Sequence, residues 1–282
     1  MTTFLLLFVL GAALLHASWN VLVKISADRF LGISIIVFFA GLISTAGLFW
    51  VGLPTLSSLP WLVLSSILHI GYCLFLSRSY ATGDLSQVYP IARGSAPLIT
   101  AFLSWIILQE VLPPLGMLGI GLIVIGIILI AFPKGKESFQ MDSRALIAAL
   151  ITSVFTAFYT LSDGIGSRVS DNALTYILWL FAIHGWSMGV IMYFKYRYTI
   201  GQNIRQYWKQ GLLGGLMQLL SYGIVIWAMS YVPIVMVAAL RETSVLFAML
   251  LSVFILREPF SKMRLLACMV IVAGVIGTKL GE

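Results

Sequence analysis

RGSAPLITAFLSWIILQE at residues 93–110 and RETSVLFAMLLSVFILRE at residues 241–258 are the stretches on which the reading of the fold turns. Adding 148 (241 − 93) to the numbering from Arg93 to Ile128 lays the chain on itself without a gap. Arg93 falls on Arg241, Glu110 on Glu258 and Gly126 on Gly274. Leu98, Leu103-Ser104 and Ile107-Leu108 fall on Leu246, Leu251-Ser252 and Ile255-Leu256. Leucine matches are cheap in so apolar a chain, whereas Arg and Glu are rare in it, so the charged matches decide. The fourth and fifth apolar stretches are repeated as the ninth and tenth.

Those stretches belong to a series. Crossing roughly 30 Å of hydrocarbon takes about 20 mostly apolar residues. Ten segments approach that length: Phe4–Val23, Gly32–Gly52, Trp61–Tyr80, Ser86–Leu108, Leu115–Phe132, Ala145–Ile165, Ala173–Phe194, Gly211–Ser230, Ile234–Leu256 and Met263–Leu280. Phe4–Leu15 has the length of a signal-peptide core. No basic residue precedes it and the apolar run continues to Val23, so a retained first helix is expected. The longest connections are 133–144 and 195–210, and they hold most of the polar residues.

Five helices per repeat is an odd number, so the second repeat must enter the membrane from the opposite face. The expected fold is therefore all-α and integral to the membrane, with ten transmembrane helices as two inverted five-helix repeats. Residues 1–132 and 145–282 form the repeats, and 133–144 connect them. Such an architecture allows alternating access around a site at the midplane.

Composition agrees. Apolar residues make up 60% of the 282, charged residues 10%, and mean hydropathy is +1.03. A soluble domain carries about 25% charged residues. The net charge of +7 does not indicate nucleic acid, because Lys and Arg sit singly in short connections. Thirteen of them lie in odd-numbered connections; only Arg168 and Lys279 lie in the others or at the C-terminus. That bias places the odd connections in the cytoplasm and both termini outside. Cys73 and Cys268 fall inside apolar runs and read as small hydrophobes.

A charge near the bilayer centre costs at least about 2.5–3.5 kcal/mol, so ionisable groups within spans are the functional candidates. Arg93 stands in Tyr89-Pro90-Ile91-Ala92-Arg93-Gly94-Ser95-Ala96-Pro97, where two prolines and a glycine are expected to unwind the fourth helix. Freed backbone groups beside a guanidinium form an anion site. Arg241 is its repeat mate, and Glu242 follows at once as a pairing partner for a nearby cation. The inverted geometry places the two guanidiniums either side of the midplane, roughly 10 Å apart along the normal.

Lys24 and Asp163 overlay under a shift of 139 (163 − 24), as do Trp19 and Phe158. They read either as an internal pair, with Asp163 able to hold a coupling proton, or as residues at the interface. His16 lies one turn from Asn20 and shares its face, a hydrogen-bonding position in the pathway. His16, His69 and His184 lack a second ligand at metal spacing, so no metal is expected. Glu110 and Glu258 each precede a proline and read as carboxylates at the start of the next helix. No phosphate-cradling glycine loop, Gly-x-Ser-x-Gly or clustered metal ligand is present, so neither an enzyme nor a cofactor is expected.

The chain resembles the EamA-type members of the drug/metabolite transporter superfamily over essentially its whole length. The resemblance rests on His16-Ala17-Ser18-Trp19-Asn20 with Lys24, and on Gly83-Asp84-Leu85-Ser86 running into Tyr89–Gly94. Tyr159-Thr160-Leu161-Ser162-Asp163-Gly164 and the Glu110 and Glu258 turns followed by Gly126 and Gly274 complete it. It implies a central cavity lined by helices one, three, four, six, eight and nine. It also implies secondary transport of small metabolites, often export of amino acids or related compounds. Members commonly keep their termini in the cytoplasm, opposite to the orientation that loop charge indicates here.

The expected activity is proton- or gradient-driven transport of an anionic or zwitterionic metabolite by a monomer or homodimer in a bacterial inner membrane. Arg93, Arg241, Tyr89, Trp19, Asn20, Tyr159 and His16 are the expected solute contacts, with Asp163, Lys24 and Glu242 as coupling or ion-pair residues. The alternative is a lipid-linked sugar or phospholipid flippase on the same fold.

Overall fold

The computed structural model describes residues 2–24, 26, 28–82, 85–131, 142–256 and 262–281, with side chains except at 24, 82, 85–90, 131, 252–256, 262 and 264. Lys24 and Tyr89 therefore enter only by their place on a helix. Glu258, Gly83-Asp84 and all but the last residues of the 133–144 connection lie outside the described residues.

The regular elements among the described residues are all helices: α1 Thr3–Lys24, α2 Arg29–Gly47, α3 Leu59–Thr82, α4 Leu85–Leu108, α5 Pro114–Ala131, α6 Ser143–Arg168, α7 Ala173–Tyr196, α8 Ile200–Met229, α9 Ile234–Arg241, α10 Ser244–Leu256 and α11 Lys262–Leu280, with a 3-10 turn at Leu48–Trp50. Eight stretches are long and apolar enough to cross a membrane, in α1 to α4, α6 to α8 and the α9–α10 run. The expected fifth and tenth spans correspond to α5 and α11, of 18 and 19 residues, whose described apolar stretches are Pro114–Ile130 and Leu265–Leu280.

The expected long connection at 195–210 is corrected. Only residues 197–199 separate α7 from α8, because Gln, Arg and Lys favour helix and extend α8 back to Ile200. Side-chain caps mark other starts: Asp28 accepts from the Leu31 amide on α2, Asp142 from Arg144 on α6, and Asn172 from Leu174 on α7.

Helices in lipid gain nothing from burying apolar groups against one another, so close backbone approach holds the bundle. Gly41 of α2 crosses Gly185 of α7, where a Cβ on Gly185 would lie 2.4 Å from the Gly41 Cα. Gly211, Gly214 and Gly215 let α8 settle on Ile35, Ile36 and Ala40 of α2. Gly119 and Gly126 of α5 admit Gly274, Ala267 and Ile271 of α11. The repeat-matched glycines, 126 and 274, thus both serve one helix pair.

The pairing has a pattern. α1 packs on α8 and α3 on α6; α2 on α8 and α3 on α7; α4 on α6 and α1 on α10. With α1–α5 counted against α6–α11 and α9–α10 taken as one span, each pairing has its counterpart. The pairs α2–α7, α4–α9 and α5–α11 are their own counterparts.

Glu110 does not cap its own following helix, as the sequence suggested. Its Oε2 accepts from the Ile234 amide that opens α9, at 3.1 Å, and its Oε1 from Arg168 Nη1 at 2.7 Å. Pro113 and Pro114 leave the start of α5 without those amide donors, whereas α9 offers one. Arg168 also donates to the carbonyls of Met229 and Val232, so one cation clamps the α8–α9 turn to the end of α4.

Gly185→Ala should force α2 and α7 apart and lower stability by about 1–3 kcal/mol, read as a reduced thermal midpoint in detergent. Gly11→Ala, where nothing lies within 4 Å, should be neutral or stabilising.

Candidate functional site

Helix α4 runs unbroken through Pro90 and Pro97, contrary to the expected unwinding. The Ser153 hydroxyl of α6 donates to the Ala92 carbonyl at 2.9 Å, beside the Arg93 carbonyl that Pro97 leaves without a donor. A hydroxyl from a neighbouring helix is one means by which spanning helices tolerate proline.

The break lies in the ninth span, where neither Pro nor Gly occurs. Between α9 and α10 the bonds tighten to i−3: Glu242 to Ala239, Thr243 to Leu240, and Val245 to Glu242. Successive residues of a regular helix do not face each other. Opening the helix here allows Arg241 to bond its neighbour, with Nε and Nη2 at 3.2 and 2.9 Å from Glu242 Oε1.

Arg93 reaches the same carboxylate from α4, its Nη1 standing 3.5 Å from Glu242 Oε2. The expected gap between the guanidiniums is thus occupied by one carboxylate belonging to the protein. Arg93 Nη2 donates to Tyr72 Oη at 3.3 Å and to His16 Nε2. A guanidinium has only donors, so Nε2 must accept and the ring proton sits on Nδ1. Arg241 Nη1 lies 3.5 Å from Thr160 Oγ1, and its guanidinium carbon 5.8 and 5.5 Å from the ring centres of Tyr159 and Tyr222. All three ions are sealed from solvent, Arg93 3%, Arg241 2% and Glu242 0% exposed.

Beside the ions is a cavity of about 30 Å³, room for a couple of waters. His16 and Trp19 line it from α1, His69 and Tyr72 from α3, and Tyr159 from α6. Leu180, Phe181 and His184 of α7 close it with Gln218 and Tyr222 of α8. Trp19 Nε1, His184 Nδ1 and Gln218 Oε1 are buried without a hydrogen-bond partner among the described residues.

Asp163 forms a second buried polar centre. Tyr222 donates to its Oδ2 at 2.6 Å and Tyr176 to its Oδ1 at 3.0 Å, while His69 Nε2 stands 4.0 Å away. The Lys24 side chain, the other half of the expected pair, lies outside the described residues.

Of the sequence candidates, then, Arg93, Arg241, Glu242 and His16 come together, with Trp19 and Tyr159 on the cavity wall. Asn20 does not join them: its Nδ2 donates back to the His16 carbonyl at 2.8 Å. Tyr89 lies one turn before Arg93 on α4. His69 and His184 are not isolated, since their rings are 5.1 Å apart. Among the described residues no group of three metal-ligating side chains forms. Sequence reasoning missed Tyr72, Tyr176 and Tyr222. The available signal was spacing, since Tyr72 follows His69 by three positions and Tyr222 follows Gln218 by four, one helix face in each case.

The profile of the EamA-like transporter family matches residues 3–132 and again residues 143–280. The chain belongs to the EamA-like transporter family. It is accordingly a multi-pass membrane transporter carrying two EamA repeats. A comparison with curated proteins found no match. A solved structure titled "Crystal structure of protein" superposes with a TM-score of 0.76, covering 99% of this chain and 96% of its own, at 16% identity. At that identity the likeness shows the fold alone.

Tyr222→Phe and Tyr176→Phe each remove one hydroxyl donor from the buried Asp163 carboxyl. Each should lower stability by about 1–3 kcal/mol, measured by thermal unfolding in detergent, and an unchanged midpoint in both would contradict these bonds.

Proposed function

We propose that this transporter moves a small anionic or zwitterionic metabolite, such as an amino acid, across a bacterial inner membrane, in the direction of export. One observation carries the reading: two buried guanidiniums, one from each EamA repeat, meet beside an aromatic cavity bounded by helices of both repeats. Two inverted five-helix repeats would make that meeting point a midplane site, and alternating access its mode of action. The matched helix pairings are the support for such a two-fold relation.

In this reading Arg93 and Arg241 hold the carboxylate, since guanidinium forks suit planar oxyanions. Trp19, Tyr159 and His16, with Tyr89 one turn from Arg93, shape the wall for the remainder of the solute. Asp163 takes the coupling proton, with Lys24 one of its candidate partners. A zwitterion meets opposite charges at the two ends, the arginines at one and Asp163 behind Tyr222 and His69 at the other. A flippase would need a sideways opening for a lipid chain; ring contacts from five helices around a small cavity favour a soluble solute.

Flux of a labelled amino acid and monocarboxylate pool in proteoliposomes tests the assignment. Arg93→Ala should lower uptake by about tenfold to a hundredfold, the cost of a lost charged hydrogen bond, and Arg93→Lys should recover part of it. Undiminished flux in a folded Arg93→Ala protein removes Arg93 from the site.

A further inference from the structure

We propose that Trp19, His184 and Gln218 form a subsite that selects solutes carrying an uncharged hydrogen-bonding group, a hydroxyl or a carboxamide, at the end away from the carboxylate. The inference rests on the reading of the aromatic cavity as the solute site and adds what that site asks of the solute.

Three polar atoms of the cavity wall carry the argument. Trp19 of α1, His184 of α7 and Gln218 of α8 all line the space. Trp19 Nε1, His184 Nδ1 and Gln218 Oε1 are buried and find no hydrogen-bond partner among the described residues. Trp19 and His184 are each only 3% exposed. A buried polar atom left unpaired is costly, and native interiors hold few of them. Here three helices bring three of them to one cavity, where a visiting group can reach them.

Their chemistry defines that group. An indole N–H only donates and an amide oxygen only accepts. The imidazole does either according to tautomer, since its Nε2 faces the Cys73 thiol at 3.9 Å, a group weak in both roles. An aliphatic side chain answers none of the three. A carboxylate cannot donate to Gln218, and an ammonium cannot accept from Trp19. A hydroxyl does both with one oxygen, and a carboxamide does so with neighbouring atoms. The volume of about 30 Å³ suits a group of that size.

Helix α1 links this subsite to the arginines. His16, bonded to Arg93, has its ring 5.0 Å from that of Trp19, three residues on and so on the same face. A solute held at Arg93 by its carboxylate thus passes along Trp19 to meet His184 and Gln218.

Isosteric amino acids test the proposal, by flux in proteoliposomes of the purified full chain. L-Serine and L-2-aminobutyrate exchange a hydroxyl for a methyl. L-Asparagine, L-aspartate and L-leucine share one shape and differ in the terminal group. The wild type should move serine or asparagine about tenfold or more faster than the matching analogues. Trp19→Phe and Gln218→Leu should each bring that ratio close to one. A purely structural role would lower all fluxes together and leave the ratio standing. If one variant is not recovered folded, the wild-type ratio and the other variant decide.

Equal flux of the analogues in the wild type, no flux of any of the five, or an unchanged ratio in the variants overturns the proposal, and the three atoms then serve water alone. If the wild type shows no preference while Arg93→Ala stops flux, only the polar subsite falls. If Arg93→Ala leaves flux intact while Gln218→Leu erases the preference, the subsite stands and the arginine reading falls.

Discussion

A single carboxylate shared by two guanidiniums organises the interior of this bundle. Glu242 is entirely withdrawn from solvent, and both of its partners are buried. Ions taken out of water cost several kcal/mol each unless their attraction and remaining hydrogen bonds compensate, so the surrounding helices must deliver those bonds. They do so from several sides: Thr160 from α6, Tyr72 from α3, His16 from α1, and two tyrosine ring faces. The tight turn between α9 and α10 follows from the same demand, because adjacent Arg241 and Glu242 could not pair on a regular helix.

Holding such a centre together requires helices that come close while their outer faces remain apolar. The glycine contacts provide the closeness. Gly41 against Gly185, and Gly119 against Gly274, bring backbones within the reach of a single methyl group. The outer faces are those of a lipid-exposed protein: Phe102, Trp105, Ile106 and Ile107 of α4 are all exposed, while Arg93 on the same helix is buried. A water-soluble protein would expose the charge and bury the rings. The bundle inverts that order.

Much of this was legible from residues alone. Helical, span-length elements follow from composition and run length, and the exceptional positions of Arg93, Arg241 and Glu242 follow from the rarity of charge within apolar runs. What escaped was distance. Pro90 and Pro97 pointed to a broken fourth helix, but the helix runs on through both, and a hydroxyl on α6 bonds the Ala92 carbonyl beside the one Pro97 frees, a partner no local rule contains. The break in the ninth span has no glycine or proline signal, because it goes with the pairing of adjacent Arg241 and Glu242. Tyr176 and Tyr222 looked like ordinary aromatic residues in apolar helices until folding brought their hydroxyls to Asp163. The pairing expected for Asp163 with Lys24 rested on sequence register, and register carries no information about the hydroxyls that tertiary packing brings to the carboxyl.

The two buried polar centres are separate in sequence and joined through one side chain. Tyr222 presents its ring face to the Arg241 guanidinium at 5.5 Å and its hydroxyl to Asp163 at 2.6 Å. It also lines the cavity. The cavity is too small for an amino acid as it stands, so in the proposed cycle a solute enters only if wall residues move. Any displacement of Tyr222 that widens the space also withdraws a donor from Asp163 and changes what that carboxyl requires, whether another hydroxyl, water or a proton. Conversely, a proton on Asp163 would free the Tyr222 ring from its present angle. Two sites that bias the same element are energetically coupled in both directions without touching. In the proposed cycle the shared element is one aromatic ring, which would link solute occupancy to proton occupancy.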